Sequence, residues 1–408
     1  MSENTISLFL VCSLITALLA ASILPLLAAS HGLRPLFRTR RFWLIILGIV
    51  IGGGVIGAVL LEANPYPGWL SNWGRIAMSF VHLFCGLALL VGILALLLRL
   101  WPKGGAVALA AFQEGVRQPM FWFIWGFAFL LISVSPFIPY FTFGEDLKMV
   151  KQICFALTML APAAFGVIAA SISVSEEIEG RTAVTLMSKP ISRRQFLLGK
   201  YAGILLAALT MTITLGWWLV WIVLYKRTTE SALPGSVGIR PDPTWALDLA
   251  NQFFGRSFEG TLAPTNASYF ARGMFYWLAD AGEALPSLVI GFCLVMVLVA
   301  IAVALGTRLP MVVNIPVCII IFFLGNLAPI LREVTADGLR LISFVAGLFQ
   351  TILPGLDLFD VGSANVRDIS LPAFDYAVYT VNAFLYAVVY SAIALLFGLI
   401  LFEDRDVA

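Results

Sequence analysis

The stretch at residues 286–307 is PSLVIGFCLVMVLVAIAVALGT and contains no Asp, Glu, Lys or Arg. A helix needs about 20 apolar residues to cross the hydrocarbon core of a bilayer, so this stretch predicts a membrane span. Eight further stretches share its apolar character and its lack of charge. They lie at about 5–29, 42–61, 76–98, 121–143, 152–174, 201–225, 311–331 and 376–402. The sequence therefore predicts about nine spans.

The composition of the 408 residues agrees with this pattern. Hydrophobic residues make up 61% and charged residues 12%, and the mean hydropathy is +0.97. Soluble domains carry about twice as many charges. We therefore predict an all-α polytopic membrane protein. The net charge of +2 and the lack of a basic run give no support for nucleic-acid binding.

Lys and Arg are denser in the first, third and fifth connections than in the other connections. Because basic residues concentrate on the cytoplasmic side of a membrane protein, these connections are predicted to be cytoplasmic. The chain would then lie in the cell (inner) membrane with its N-terminus outside and its C-terminus inside. Two long segments, 226–285 and 332–375, would face the exterior.

The spans offer little for ion-coupled transport or for chemistry. His82 is the one Asp, Glu, Lys, Arg or His within them, whereas a coupling ion needs ionisable groups at membrane depth. The sequence also has no G-x-x-x-x-G-K-[ST] loop for nucleotide phosphates and no H-E-x-x-H metal motif. We therefore predict no cofactor, metal or catalytic residue in this chain, and an energy source elsewhere.

The most charged stretch, at residues 176–200, is EEIEGRTAVTLMSKPISRRQFLLGK. Pro190 is expected to end any preceding helix, because the residue before a proline is pushed out of the helical region. Ser192 and Gln195 have the spacing of a capping box, which predicts that a new helix starts there. The stretch therefore predicts a helix, a sharp break and a second helix at the cytoplasmic surface.

The order of residues in this stretch resembles the cytoplasmic connection of type-2 ATP-binding-cassette (ABC) permeases. The shared features are a Glu-rich start, a Gly-Arg-Thr step, the core Leu186–Arg193 and the closing pair Gly199–Lys200. Two further places are similar to the branch of permeases for multi-copper-enzyme maturation and gliding motility. They are an amphipathic stretch at 106–120, which resembles an interfacial elbow helix, and the C-terminal pattern at 353–359 and 402–406.

The resemblance implies a six-span permease core at 105–408, after a three-span extension at 1–104. It also implies an outward-moving permease subunit of an ABC transporter, which is not itself an enzyme. The chain would bind a separate ABC ATPase subunit that holds MgATP, and would pair with a second copy or a homologous permease. The coupling element within 175–200 would comprise Glu176, Glu177, Glu179, Gly180, Arg181, Thr182, Pro190, Arg193 and Arg194.

Three other classes of function stay open at this stage. An ion-coupled secondary transporter would need buried carboxylates, and the spans contain none. A polytopic membrane enzyme would need an acidic or metal-binding cluster near the membrane. A purely structural membrane scaffold is a third alternative, and the lack of any associated ATPase activity would favour it.

Overall fold

The structure is a computed structural model. It describes residues 3–29, 40–63, 66–140, 146–179, 191–231, 248–249, 252, 265–335, 353–359 and 373–403. Within these ranges the chain forms helices and turns and no strand. The predicted all-α class is therefore confirmed.

The α-helices follow one another in chain order, with two short 3-10 turns at Ser135–Phe137 and Leu356–Phe359. They are α1 (Glu3–Ala29), α2 (Arg40–Glu62), α3 (Pro67–Leu100), α4 (Pro102–Arg117), α5 (Pro119–Val134), α6 (Asp146–Glu179), α7 (Arg193–Ser231), α8 (Asn266–Gly306), α9 (Met311–Thr335) and α10 (Ala373–Glu403).

Each of the nine predicted spans overlaps one of these helices, and α4 is the remaining helix. The span predicted at 121–143 is helical only as far as Phe137, where a 3-10 turn that contains Pro136 ends. Seven helices in the described ranges are long and apolar enough to cross a membrane, and shorter apolar helices occur at Leu8–Leu24 and Met311–Leu327. The chain is thus an integral membrane protein with several spans. Its sidedness and the membrane in which it lies stay predictions.

Two helices extend far beyond the spans predicted from hydropathy. Helix α8 begins at Asn266 and has 41 residues, which corresponds to roughly 60 Å, about twice the thickness of the hydrocarbon core. Helix α7 continues to Ser231. The predicted exterior segment 226–285 therefore begins and ends within helices, because the helical backbone continues after the apolar run has stopped.

The helices form two compact units. The first contains Met1–Ile93 and Thr229–Ala284, and the second contains Leu94–Thr228 and Leu285–Ala408. This grouping joins the N-terminal helices to a segment from the middle of the chain. The predicted boundary between residues 104 and 105 stays a prediction.

In the first unit, small residues let helices pack closely. A side-chain carbon on Gly53 or Gly57 of α2 would collide with Thr16 or Cys12 of α1. Helices α3 and α8 approach even more closely, because Gly74 and Gly273 each face backbone atoms of the other helix. His82 of α3 packs near Trp277 of α8, with ring centroids 6.3 Å apart.

In the second unit, α4 and α7 meet along a stripe of small residues. The buried positions of α4 include Gly104, Ala108, Ala111 and Gly115. They face Gly199, Gly203 and Ala207, which follow one another at four-residue intervals on α7. This spacing places the stripe on one face of the helix, so the two backbones come into near contact.

The elbow helix predicted at 106–120 is confirmed as a helix, but its limits and its buried face differ. It begins at Pro102 and ends at Arg117, because Pro119 holds Gln118 in an extended conformation with ψ of 135°. Leu109, Phe112 and Val116 lie on one helical face and give the stretch its amphipathic pattern. They are only half-buried, and the small residues form the fully buried face instead.

The α4–α7 contact yields a prediction about stability. A side-chain carbon on Gly203 would lie 2.6 Å from Ala111 Cβ and 2.9 Å from Phe112 N, so Gly203→Ala forces the helices apart. We expect a loss of about 1–3 kcal/mol in the free energy of unfolding, measured by thermal unfolding in detergent. Gly126→Ala in α5 is the matched control, because nothing lies within 4 Å of that position. Equal effects of the two substitutions would contradict the contact.

Candidate functional site

The predicted coupling residues divide into three groups in the structure. Glu176, Glu177 and Glu179 lie in the last turn of α6, and Arg193 and Arg194 begin α7. Gly180, Arg181, Thr182 and Pro190 lie outside the described residues. The structure therefore defines both ends of the connection 180–190.

The capping box predicted at the start of α7 is confirmed. The backbone N–H of Gln195 donates to Ser192 Oγ at 3.2 Å, and the backbone N–H of Ser192 donates to Gln195 Oε1 at 3.1 Å. These reciprocal bonds satisfy two N–H groups that a helix start leaves without intrahelical partners. They fix the direction in which α7 leaves the connection.

A buried lysine joins three helices next to this connection. Lys200 Nζ on α7 donates to Ser173 Oγ on α6 at 2.8 Å and to Glu114 Oε2 on α4 at 3.2 Å. Ser173 Oγ lies 3.4 Å from the same carboxylate oxygen. The side chain of Lys200 is 6% exposed and that of Glu114 is 43% exposed. The cluster thus holds one buried cation against a carboxylate at the surface.

The end of α6 is also attached to the turn between α8 and α9. Ser175 Oγ donates to the carbonyl oxygen of Leu309 at 2.9 Å. Gly306 faces Val174 closely enough that a side-chain carbon there would lie 3.3 Å from Val174 Cβ. The entry to the connection is therefore fixed to the turn at 307–310 as well as to α4 and α7.

Arg193 and Arg308 reach a fifth element, the C-terminal end of α10. Arg193 Nη1 donates to the carbonyl oxygens of Phe402 and Glu403 at 2.7 and 3.0 Å. Arg308 Nε donates to the carbonyl oxygen of Leu401 at 2.8 Å. These contacts join five parts of the chain, which we together call the junction. They are the C-terminal end of α6, the N-terminal end of α7, helix α4, the 307–310 turn and the last turn of α10.

The two arginines predicted at the start of α7 differ in their surroundings. Arg193 is bonded within the chain, and Arg194 is exposed.

The opposite end of α7 carries a second lysine pair. Lys226 Nζ lies 3.7 Å from Asp146 Oδ2, at the start of α6. At about 1.5 Å per residue, Lys200 and Lys226 are roughly 39 Å apart along the helix, more than the thickness of the hydrocarbon core of about 30 Å. The helix can therefore place one ion pair near each face of the membrane.

Between these two ion pairs, residues 201–225 of α7 contain no Asp, Glu, Lys, Arg or His. A groove of about 130 Å³ runs along α6, α8 and α9, over a floor formed by Ala163, Val167, Leu298 and Cys318. The described residues contain no group of three or more His, Cys, Asp or Glu side chains placed to hold a metal ion. This groove offers contacts to apolar groups only.

Residues 115–234 match the family described as ABC-2 family transporter protein. The match is shorter than half of the chain and covers α5, α6, the connection and α7. It supports an ABC-2 type permease that is a membrane subunit of a transporter rather than an enzyme. No curated protein and no solved structure matches the chain.

The sequence singles out the connection within the region that matches the ABC-2 family, but it does not reveal the cluster beside that connection. In the sequence, Lys200 is one half of the closing Gly–Lys pair and one of the basic residues of the fifth connection. Glu114 is the single carboxylate of α4, which was the available signal for its role. A lone acid on a helix and a lone lysine at the start of an apolar run need partners, but sequence alone does not pair them.

The asymmetric exposure of the Lys200–Glu114 pair generates a second prediction. Glu114→Ala removes the carboxylate that faces the buried ammonium of Lys200, and we expect a loss of about 1–3 kcal/mol in stability. Lys200→Met removes the buried charge and leaves Glu114 partly solvated, so its cost should be smaller.

The measurement is thermal unfolding of both single variants and of the double variant. The double variant should be more stable than Glu114→Ala alone, because it no longer contains a buried ammonium whose carboxylate partner has been removed. Additive losses in the double variant would show that the two side chains do not act as a pair.

Proposed function

We propose that this chain is the transmembrane permease subunit of an ABC transporter, driven by ATP that a separate ATPase subunit hydrolyses. The observation that carries the proposal is the junction. Both ends of the predicted coupling connection are fixed by side-chain bonds to α4, to α10 and to the 307–310 turn. The ABC-2 match covers this connection and the two helices that flank it.

The junction suits the transmission of a rigid-body displacement. The near contact of α4 and α7 at Gly203 leaves these helices little freedom to slide, and Lys200 links them to α6. A force applied to the connection would therefore displace α4, α6 and α7 together, instead of being absorbed by the bending of a loop. The mixed charges of the connection would orient a partner during docking, although exposed ion pairs stabilise a complex only weakly.

The partners and the location follow from the same proposal. MgATP binds to the ATPase subunit, and the permease pairs with a second copy or with a homologous permease. The chain lies in the cell (inner) membrane, with the junction on the cytoplasmic side and the N-terminus outside, and substrate moves outward. The branch related to multi-copper-enzyme maturation and gliding motility is the proposed subgroup.

The apolar character of the described spans favours this proposal over an ion-coupled secondary transporter. In the second unit, the charged pairs of α7 lie near its two ends, and the groove between them is lined by apolar residues. A coupling ion would find no carboxylate there. In a permease driven by a separate ATPase subunit, the spans need only pack against one another and move.

The coupling element is tested by a variant that spares the internal contacts of Arg193. We expect the triple variant Glu179→Ala, Arg181→Ala and Arg194→Ala to fold and to lose about tenfold in affinity for the ATPase subunit. The ATPase is first identified as the subunit that co-purifies with the tagged wild-type permease. Binding is then measured with both proteins purified, and stimulation of ATP hydrolysis is measured in liposomes.

Arg99→Ala is the matched control, because Arg99 is exposed in the last turn of α3 and has the same predicted sidedness. Unchanged ATPase binding and stimulation in the triple variant would contradict the proposed coupling element. Accumulation of a solute by the purified chain alone, driven by an ion or voltage gradient, would overturn the proposed function itself.

A further inference from the structure

The C-terminal end of α10 carries a cap made by two arginines from distant parts of the chain. The last four carbonyl groups of a helix have no partner within that helix. Three of them, at Leu401, Phe402 and Glu403, accept hydrogen bonds from Arg308 and Arg193. Because the C-terminal end of a helix is partially negative, two cations are electrostatically favoured there.

Packing reinforces this cap. The guanidinium of Arg193 lies 5.3 Å from the centre of the Phe402 ring, and Phe402 is fully buried beside Phe196. One turn earlier, a side-chain carbon on Gly398 would lie 2.8 Å from Ala304 Cα, so α10 rests almost directly on the backbone of α8. The end of α10 therefore has defined contacts with α7 and α8.

The two arginines come from elements attached to opposite ends of the connection 180–190. Arg193 is the first residue of α7, at the exit of the connection, where the capping box fixes the backbone. Arg308 lies in the turn that Ser175 holds through Leu309, at the entry to the connection. Any displacement shared by the two ends of the connection is thus applied to the end of α10 from two sides.

The other end of α10 is bonded to the segment at 353–359. Tyr379 Oη donates to the carbonyl oxygen of Leu358 at 2.6 Å, and the backbone N–H of Gly355 donates to Tyr386 Oη at 3.0 Å. Leu356 and Phe359 of this segment are fully buried. From Tyr379 to Glu403, α10 extends roughly 36 Å, so it links the junction to a segment at the far side of the second unit.

We infer that Arg193 and Arg308 are positioning residues that make α10 a rod, which transmits movement of the connection to the segment at 353–359. This inference rests on the proposed function, since it takes the ATPase subunit as the source of the movement. It assigns Arg193 a role inside the chain rather than at the surface of the partner. It also gives the segment 353–359 a part in the transport cycle.

The test measures hydrogen–deuterium exchange by mass spectrometry in the full permease–ATPase complex. Exchange is compared without nucleotide and with ATP and vanadate. In the wild type we expect nucleotide to change exchange at the ends of α6 and α7 and also at 353–359. In the double variant Arg193→Ala and Arg308→Ala, the change at 353–359 should be lost while the change at α6 and α7 remains.

Two further variants separate transmission from folding. The double variant Arg193→Lys and Arg308→Lys should retain the response at 353–359, because an ammonium can donate to the same carbonyl groups. Arg99→Ala should behave as the wild type. In the permease alone, the double Ala variant should exchange the last turn of α10 about three- to tenfold faster than Arg99→Ala. If that variant fails to fold, Arg308→Ala alone carries the comparison.

A response at 353–359 that persists in the Ala variant would overturn the role of the two arginines. A wild-type complex without any nucleotide response at the ends of α6 and α7 would instead overturn the proposed function. The exchange of the last turn of α10 in the permease alone tests the cap without the ATPase. The two failures are therefore distinguishable.

Discussion

The ammonium group of Lys200 is the constraint on which the junction depends. Moving a charge out of water costs several kcal/mol even in a relaxed protein, and this charge is almost fully buried. Glu114 and Ser173 offset part of this cost because they lie at hydrogen-bonding distance from the ammonium. Such a pair is weak evidence for stability but strong evidence for position, because moving α4 or α6 away would remove one of these contacts from a buried charge.

Small residues make this arrangement possible. Lys200 lies between Gly199 and Gly203, whose missing side chains let α7 approach the backbone of α4 at 104–112. At a larger separation the lysine and Glu114 would need a water molecule or a longer reach. The glycine stripe and the ion pair therefore act on the same helix contact, one through distance and the other through charge.

The sequence predicts those parts of the fold that depend on neighbouring residues. Uncharged apolar runs predicted the long apolar helices of the described ranges, because the bilayer imposes a length and excludes charge. Ser192 and Gln195 predicted the capping box, because its two bonds join residues three positions apart. The stop at Gln118 likewise follows from the proline after it, although the hydropathy pattern alone placed the end of α4 three residues too late.

Contacts between distant residues could not be predicted in this way. Glu114 and Lys200 are 86 positions apart, and Arg193 and Phe402 are 209 positions apart. A charged residue at a membrane surface has the same sequence signal whether it meets solvent, a partner or a helix end. For Arg193 and Arg194, adjacent and chemically identical, only the three-dimensional structure shows that the first is bonded to α10 and the second is exposed.

In the second unit, the charged residues that make ion pairs or cap helices lie near the ends of the helices. Lys200, Arg193 and Arg308 hold helix ends at the junction, and Lys226 holds the other end of α7. Along the middle of the helices, polar contacts are local or neutral, as where Trp125 and Trp218 donate to hydroxyl groups across α5 and α7. Charges placed at the ends of helices can fix and move those helices but cannot bind an ion at mid-membrane. This arrangement fits a unit whose movement originates at its surface, because force applied to a helix end is passed along a stiff helix. The described middle parts of the helices in the second unit carry no Asp, Glu, Lys, Arg or His.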